Sequence, residues 1–297
     1  MNILEQMGHG HQRHLPAVAT VGTFDGVHLG HRYLIDQVRE EAVRRGLRSM
    51  VITFDRHPAT FFGNHKPLLT TKEEKINLIK ATETDSLVIL SFDHHLATLT
   101  AHEFMQRLHS QLHVEAMVVG YDNHFGSDQV QVSPETTIQG IDIIPAKAWR
   151  IGTLDISSTA IRSDLQQGNV EQAGVRLGRP YALTGTVVHG RHIGTRLGFP
   201  TANLHVADDR LIPRPGVYAV RVGAEAGILN IGTRPTFKGQ EMTVEVHIIG
   251  CEKDLYGQTL TVSFVQRLRD EQTFLSPEHL AAQLQKDKEK TIQLFRL

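Results

Sequence analysis

The texture of the chain changes once, at Gly178-Arg-Pro180, and that change constrains the fold more than any other feature. Ahead of it, short β-branched apolar runs alternate with helical patterns. Residues 17–22 read as a buried strand, 30–45 as a helix carrying Leu34, Ile35, Val38 and Ala42 on one face, and 49–54 as a second strand. Strand-like runs follow at 87–92, 116–120 and 141–145. Thr71-Lys-Glu-Glu74 and Thr100-Ala-His-Glu103 are capping boxes that open further helices. Helices are expected at 159–167 and 170–177, the second capped by Asn169. Such alternation predicts a Rossmann-like α/β domain, a parallel sheet covered on both faces.

After Pro180 no strand is followed by a long amphipathic helix. Residues 183–189, 217–222, 228–231, 243–249 and 259–268 are strand-like, with Gly and Pro between them. That pattern predicts a small antiparallel β-barrel or sandwich. Ser276-Pro277 then opens a C-terminal helix, with Leu280, Leu284, Ile292 and Phe295 as its apolar stripe. Two domains are therefore expected, 1–179 and 180–297, which suits a length of 297 residues.

Composition narrows the function classes. A net charge of −1 without a Lys/Arg run argues against a nucleic-acid partner. No apolar run approaches the ~20 residues of a membrane helix, and no signal peptide is evident. The single cysteine, Cys251, excludes an intrachain disulfide and suits a reducing cytoplasm. His9, His11 and His14 read as a solvated arm ahead of the strand at 17–22.

Two segments carry phosphate chemistry. Gly22-Thr-Phe-Asp-Gly-Val-His-Leu-Gly-His31 joins the strand at 17–22 to the helix behind it, where an open α/β sheet binds ligands. His28 and His31 are one turn apart, Gly30 removes bulk, and the helix N-terminus adds free N–H groups. Gly22, Thr23, Phe24 and Asp25 are the nucleotide-binding candidates of the same turn. This context resembles the nucleotidylyltransferase superfamily. In Asp155-Ile-Ser-Ser-Thr-Ala-Ile-Arg162, the hydroxyls of Ser157, Ser158 and Thr159 and the guanidinium of Arg162 could hold more phosphate.

The second segment is Gly185-Thr-Val-Val-His-Gly190 with Gly194-Thr-Arg-Leu-Gly-Phe-Pro-Thr-Ala-Asn203. The chain has no Gly-x-x-x-x-Gly-Lys-Ser/Thr loop, so ATP here needs another cradle, for which Gly190 and Gly194 are candidates. Thr201 and Asn203 alternate toward one side and suit Mg²⁺. Glu245, in Thr243-Val-Glu-Val-His-Ile248, is the candidate carboxylate to orient and deprotonate a hydroxyl.

Together with Thr53-Phe-Asp-Arg-His-Pro58 and Gly120-Tyr-Asp-Asn-His-Phe-Gly126, the first segment resembles the adenylyltransferase half of the bacterial bifunctional riboflavin kinase/FMN adenylyltransferase family. Asn230-Ile-Gly-Thr-Arg-Pro-Thr-Phe237, Asp254-Leu-Tyr-Gly257 and Arg267-Leu-Arg-Asp-Glu271 extend the likeness through the kinase half. The resemblance implies a nucleotidylyltransferase-type sheet followed by a β-barrel, and riboflavin, FMN and ATP as reactants. It implies His57 and Pro58 near flavin, Asp122 near nucleotide, Mg²⁺ on Thr201 and Asn203, Glu245 as base, and Arg269 near flavin. Asn123, His124 and Ala160 depart from the usual pattern. They keep open a kinase with a weak adenylyltransferase half, besides a flavin carrier without turnover.

Overall fold

The computed structural model describes residues 1–5, 15–120, 124–131, 136–147, 154–190, 198–236, 239–251 and 253–296. They form two compact units, Met1–Ile156 and Ser157–Leu297.

In the first unit the described elements are β1 (Asn2–Glu5), β2 (Ala17–Val21), α1 (Leu29–Arg45), β3 (Arg48–Phe54), α2 (Pro58–Phe61), α3 (Lys72–Lys80) and β4 (Ser86–Leu90). They continue with α4 (His94–Thr98), α5 (Ala101–Leu112), β5 (Val114–Val119), β6 (His124–Phe125), β7 (Val130–Gln131), β8 (Thr137–Ile138) and β9 (Ile141–Pro145). The main sheet has the order β1-β4-β3-β2-β5-β9-β8. All its pairs are parallel except β8 with β9. The order reverses at β2, between β3 and β5, and this reversal opens a crevice beyond the carboxyl ends of the strands. β2 is buried along its whole length, as a central parallel strand must be.

The helices start and stop where their chemistry dictates. Both capping boxes are present, Thr71 with Glu74 and Thr100 with Glu103. Gly46 ends α1 in the left-handed conformation, with Arg44 and Arg45 at the negative end of the helix dipole. β1 has no local sequence signal; it pairs with β4 from Asn2↔Ser86 to Glu5↔Ile89. Four residues carry too little periodicity to announce a strand, and only the open edge of β4 gives them a partner. His9, His11 and His14 lie outside the described residues.

The second unit begins with α6 (Ser158–Gln167) and α7 (Val170–Leu177). Next come β10 (Ala182–Val188), β11 (Ala202–Val206), β12 (Gly216–Val222), β13 (Glu225–Thr236), β14 (Gly239–Ile248) and β15 (Thr259–Arg269). They close a barrel in the order β10-β11-β14-β13-β12-β15, and α8 (Pro277–Phe295) follows. Its interior is apolar, with Tyr218, Leu229, Val246, Val262 and Phe264 almost fully buried. Closure leaves no sheet edge to protect.

By packing, the units part ahead of Arg179, because α6 and α7 are held by the barrel. Arg267 sends Nη2 to Pro215 O at 2.9 Å, and its side chain fills the space that a Cβ on Gly168 or Gly216 would take. The Arg214 N–H donates to Leu165 O at 3.0 Å.

Three sequence expectations are corrected. Asn169 makes no side-chain cap; its amide turns to Gln167 instead. β13 runs to Thr236, well past residue 231, because Gly232–Thr236 pairs with Gly239–Thr243 as a hairpin. In α8 the deeply buried positions are Asp287 and Thr291, not the apolar stripe.

Candidate functional sites

Residues 22–28 turn sharply between β2 and α1. Phe24 (φ 49°), Gly26 (φ 83°) and Val27 (φ 38°) all lie in the left-handed region. That is unusual for an aromatic residue and costly for a β-branched one, and such strain persists only when the surroundings fix it. The Asp25 carboxylate accepts from Leu69 N–H at 3.0 Å, from Thr70 N–H at 3.2 Å and from the Thr70 hydroxyl at 3.3 Å. The Gly26 N–H donates to Thr70 Oγ1 at 3.1 Å. Phe24 and Val27 are buried. Phe24 and Asp25, expected to bind nucleotide, thus also build the turn that carries the histidines.

His28 is the N-cap of α1. Its Nδ1 accepts from His31 N–H at 3.2 Å, which leaves the proton of a neutral ring on Nε2. The two rings stack with centroids 3.6 Å apart, and Phe24 meets His31 edge-on at 5.1 Å. Burial pushes the pKa of His31 well below the usual histidine value; the charges of His28 and Lys75 push it further. His31 is therefore neutral at pH 7, and its buried Nδ1 meets no partner among the described residues. A Cβ on residue 30 would touch the His28 ring at 3.3 Å, so Gly30 lets helix and imidazole approach. The His28 Nε2–H and the N-terminus of α1 together form a place for phosphate oxygens.

Beside this turn, His57 caps α2 through Nδ1, which accepts from Ala59 N–H at 3.1 Å, and Pro58 occupies the first helical position. Phe54, Phe61, Phe62 and Phe92 meet edge to face, and Phe62 is exposed. No local spacing marks these rings, although Phe61 and Phe62 follow His57-Pro58 closely. Nor does local spacing mark Lys75, whose Nζ donates to Phe54 O at 2.7 Å and Thr23 O at 3.3 Å. A hollow of about 580 Å³ near Arg48, Lys80 and Asp85 is larger than the cleft beside His57. It lies toward the amino ends of β3 and β4, away from these groups.

Of the remaining nucleotide candidates, Asp122 and Gly194 lie outside the described residues. Ser157 caps α6, its hydroxyl accepting from Ala160 N–H at 3.2 Å. Ser158 and Thr159 stand in the first turn of α6, with Arg162 one turn along.

The barrel presents a different kind of site. Register sets Val188 opposite Asn203, Asn203 opposite Glu245, and Glu245 opposite Asn230. These side chains share the outer face, because Val244 and Val246 beside Glu245 point inward and are buried. Thr201, two residues before Asn203, falls on the same side. A Cβ on Gly190 would collide with the Asn203 amide, so glycine lets that amide lie against the backbone and any side chain there would displace it. His247 Nδ1 lies 2.8 Å from Pro200 O, and the ring meets Phe199 edge-on at 5.4 Å, which fixes the chain entering Thr201. Burial holds the pKa of His247 below its usual value. A threonine hydroxyl, an amide oxygen and a nearby carboxylate are hard oxygen donors and fit a magnesium-type cation.

Arg269 has a heavy structural commitment. Its Nε and Nη2 grip the buried Asp287 carboxylate at 3.0 and 2.8 Å, and Nη1 donates to Asp270 O at 3.0 Å. Gln283 completes the Asp287 carboxylate at 2.9 Å. Arg269 therefore ties the segment after β15 to α8.

Known proteins resemble the chain along most of its length. The FAD synthetase family model matches residues 10–160, and the riboflavin kinase model matches residues 177–295. The bifunctional riboflavin kinase/FMN adenylyltransferase of Escherichia coli K12 is 37% identical over 292 residues, covering 94% of this chain and 93% of the relative. That of Bacillus subtilis is 34% identical over 94% of this chain and 92% of its own. A crystal structure named as a macrolide-efflux protein from Streptococcus pneumoniae matches with a TM-score of 0.85 and 30% identity, over 98% of this chain and 99% of that one. Among the described residues of this chain no helix is long and apolar enough to cross a membrane. With both family models in order and relatives matched nearly end to end, the chain belongs to the bifunctional riboflavin kinase/FMN adenylyltransferase family, a kinase and a nucleotidyltransferase in one polypeptide.

Proposed function

We propose that the outer barrel face carries phosphoryl transfer from MgATP to riboflavin, and that the turn after β2 carries adenylyl transfer from a second ATP to FMN. In the first reaction Glu245 orients the terminal ribityl hydroxyl and takes its proton as the oxygen attacks the γ-phosphorus; ADP leaves. Thr201 and Asn203 would hold Mg²⁺, which neutralises phosphate charge when bound. Gly190 and Gly194 keep the backbone close to the phosphates. Arg269 shapes the flavin side by holding the segment after β15 against α8.

In the second reaction a phosphate oxygen of FMN attacks the α-phosphorus of ATP, and pyrophosphate leaves. The His28 Nε2–H and the α1 N-terminus stabilise the charge that develops, at ~3–4 kcal/mol per well-placed donor. His31 packs that donor in place and offers its own ring to the phosphates. Gly22, Thr23, Phe24 and Asp25 fix the turn, and Asp122 serves the nucleotide. Ser157, Ser158, Thr159 and Arg162 offer further phosphate ligands. His57 and Pro58 stand on the flavin side.

The observation that carries this reading is that the imidazole pair and the Asn203–Glu245–Asn230 row lie in separate compact units. Product chromatography from riboflavin and ATP tests it. His28→Ala should lower FAD formation by on the order of 10²–10³-fold and leave FMN formation near normal. Glu245→Gln should do the reverse, by about 10²–10⁴-fold. Equal loss of both activities in either variant would refute the two-site assignment.

A further inference from the structure

Lys75 is the one group of α3 that reaches under both loops of the crevice site. Its ammonium donates to Thr23 O, in the turn after β2, and to Phe54 O, at the end of β3. The Thr53 hydroxyl donates to the same Thr23 O at 3.2 Å. Around it lie the carboxylates of Asp25 and Asp55, and the ammonium of Lys72 on its own helix. Arg56 and His57 line the same narrow cleft, from the loop after β3. Asp55 in turn accepts from Phe92 N–H at 2.9 Å, so the ends of β2, β3 and β4 are joined through one cluster.

A mostly buried ammonium is a poor way to gain stability, since a neutral donor could satisfy the two carbonyls without burying a charge. Burial indeed pulls the pKa of Lys75 down to about 8. The charge nevertheless remains at neutral pH, next to His31, whose ring it helps keep neutral.

We propose that Lys75 is a positioning residue for adenylyl transfer, tying the turn after β2 to the loop after β3 and holding a positive charge beside His31. This rests on the assignment of His28 and His31 to adenylyl transfer. Lys75 touches no substrate; it acts through the carbonyls of Thr23 and Phe54 and through the imidazole pair.

The test measures FAD formation, FMN formation and thermal unfolding in full-length Lys75→Met and Lys75→Arg across pH 5.5–9. In Lys75→Met, kcat/KM for FAD formation should fall on the order of 10²-fold, the scale of a small misplacement of reacting groups. FMN formation should stay unchanged, and any drop in unfolding temperature should be too small to account for the loss of FAD formation. The acid-side inflection of FAD formation should move to higher pH, because His31 loses a repelling charge. Lys75→Arg should recover most of the rate. Should the methionine variant fail to fold, Lys75→Gln, which can still donate to a carbonyl but carries no charge, serves in its place. Wild-type FAD kinetics in the uncharged variant would overturn the proposal. So would a loss that tracks a lowered unfolding temperature while the pH profile stays fixed, since that marks a merely structural lysine. Absence of FAD from the wild-type enzyme would instead defeat the underlying assignment, and the role of Lys75 with it.

Discussion

The two sites solve the same problem, holding phosphates, by opposite means. In the first unit the solution is conformational. A strained turn sets two imidazoles on a helix N-terminus, and residues some forty positions away in the sequence, Leu69, Thr70 and Lys75, hold it in place. In the barrel the solution is register. Asn203, Glu245 and Asn230 face one another because their strands pair there, and each backbone sits in ordinary extended geometry. The first site should therefore be sensitive to its supports, and the second to its individual side chains.

The largest expected effect tests the barrel's framework rather than its face. Asp287→Ala leaves Arg269 with an uncompensated buried charge, and should cost about 3–5 kcal/mol of second-unit stability in chemical denaturation. First-unit unfolding should be unaffected. A smaller loss would show that Arg269 finds solvent, and would make the barrel site less dependent on α8.

Next is Gly190→Ala. The added methyl displaces the Asn203 amide, so FMN formation should fall by about 10²-fold with little change in FAD formation. An unaffected kinase would mean that the Asn203 side chain can turn without loss. That would remove the close fit on which the contrast with the first site depends.

Asp25→Asn should lower first-unit stability by about 1–3 kcal/mol and FAD formation with it, because one oxygen acceptor becomes an NH₂ donor facing the N–H groups of Leu69 and Thr70. If FAD formation survives a measurable loss of stability, the turn is less dependent on its pins than the geometry implies.

The smallest effect is electrostatic. The pKa of His31 is lower in the folded chain than in the unfolded one, so the unfolded state binds more protons as pH falls below about 6.5. The His31 contribution to first-unit stability should be flat above that value and decline as the pH drops through the histidine range. His31→Asn should flatten that decline in thermal unfolding scans. Charged surface pairs such as Arg39 with Glu83 should contribute well under about 1 kcal/mol to it.

Much of this was legible in the chain itself. The alternating pattern before Pro180 gave the parallel sheet, and both capping boxes stand where Thr71 and Thr100 announced them. The change of texture at Pro180 announced the barrel, because strands without crossover helices can pair only with antiparallel neighbours. His28, His31 and Glu245 stand out as candidates because local spacing carries them: one helical turn for the histidines, one strand period for Glu245 with His247.

What local spacing does not carry stayed hidden. β1 exists only because β4 has a free edge, and β13 is long only because β14 folds back on it. Lys75 reads as an ordinary helix lysine until the sheet order brings α3 beneath the ends of β2 and β3. The bracing role of Arg269 shows only once α8 presents Asp287 to it. The amino-acid order settled most of the longer elements and the two fold classes and singled out the candidate reacting side chains, because each rests on patterns between residues close in the chain. Tertiary structure alone decided which side chains are supports, because a buried charge or a strained turn is held by partners that only chain folding brings near.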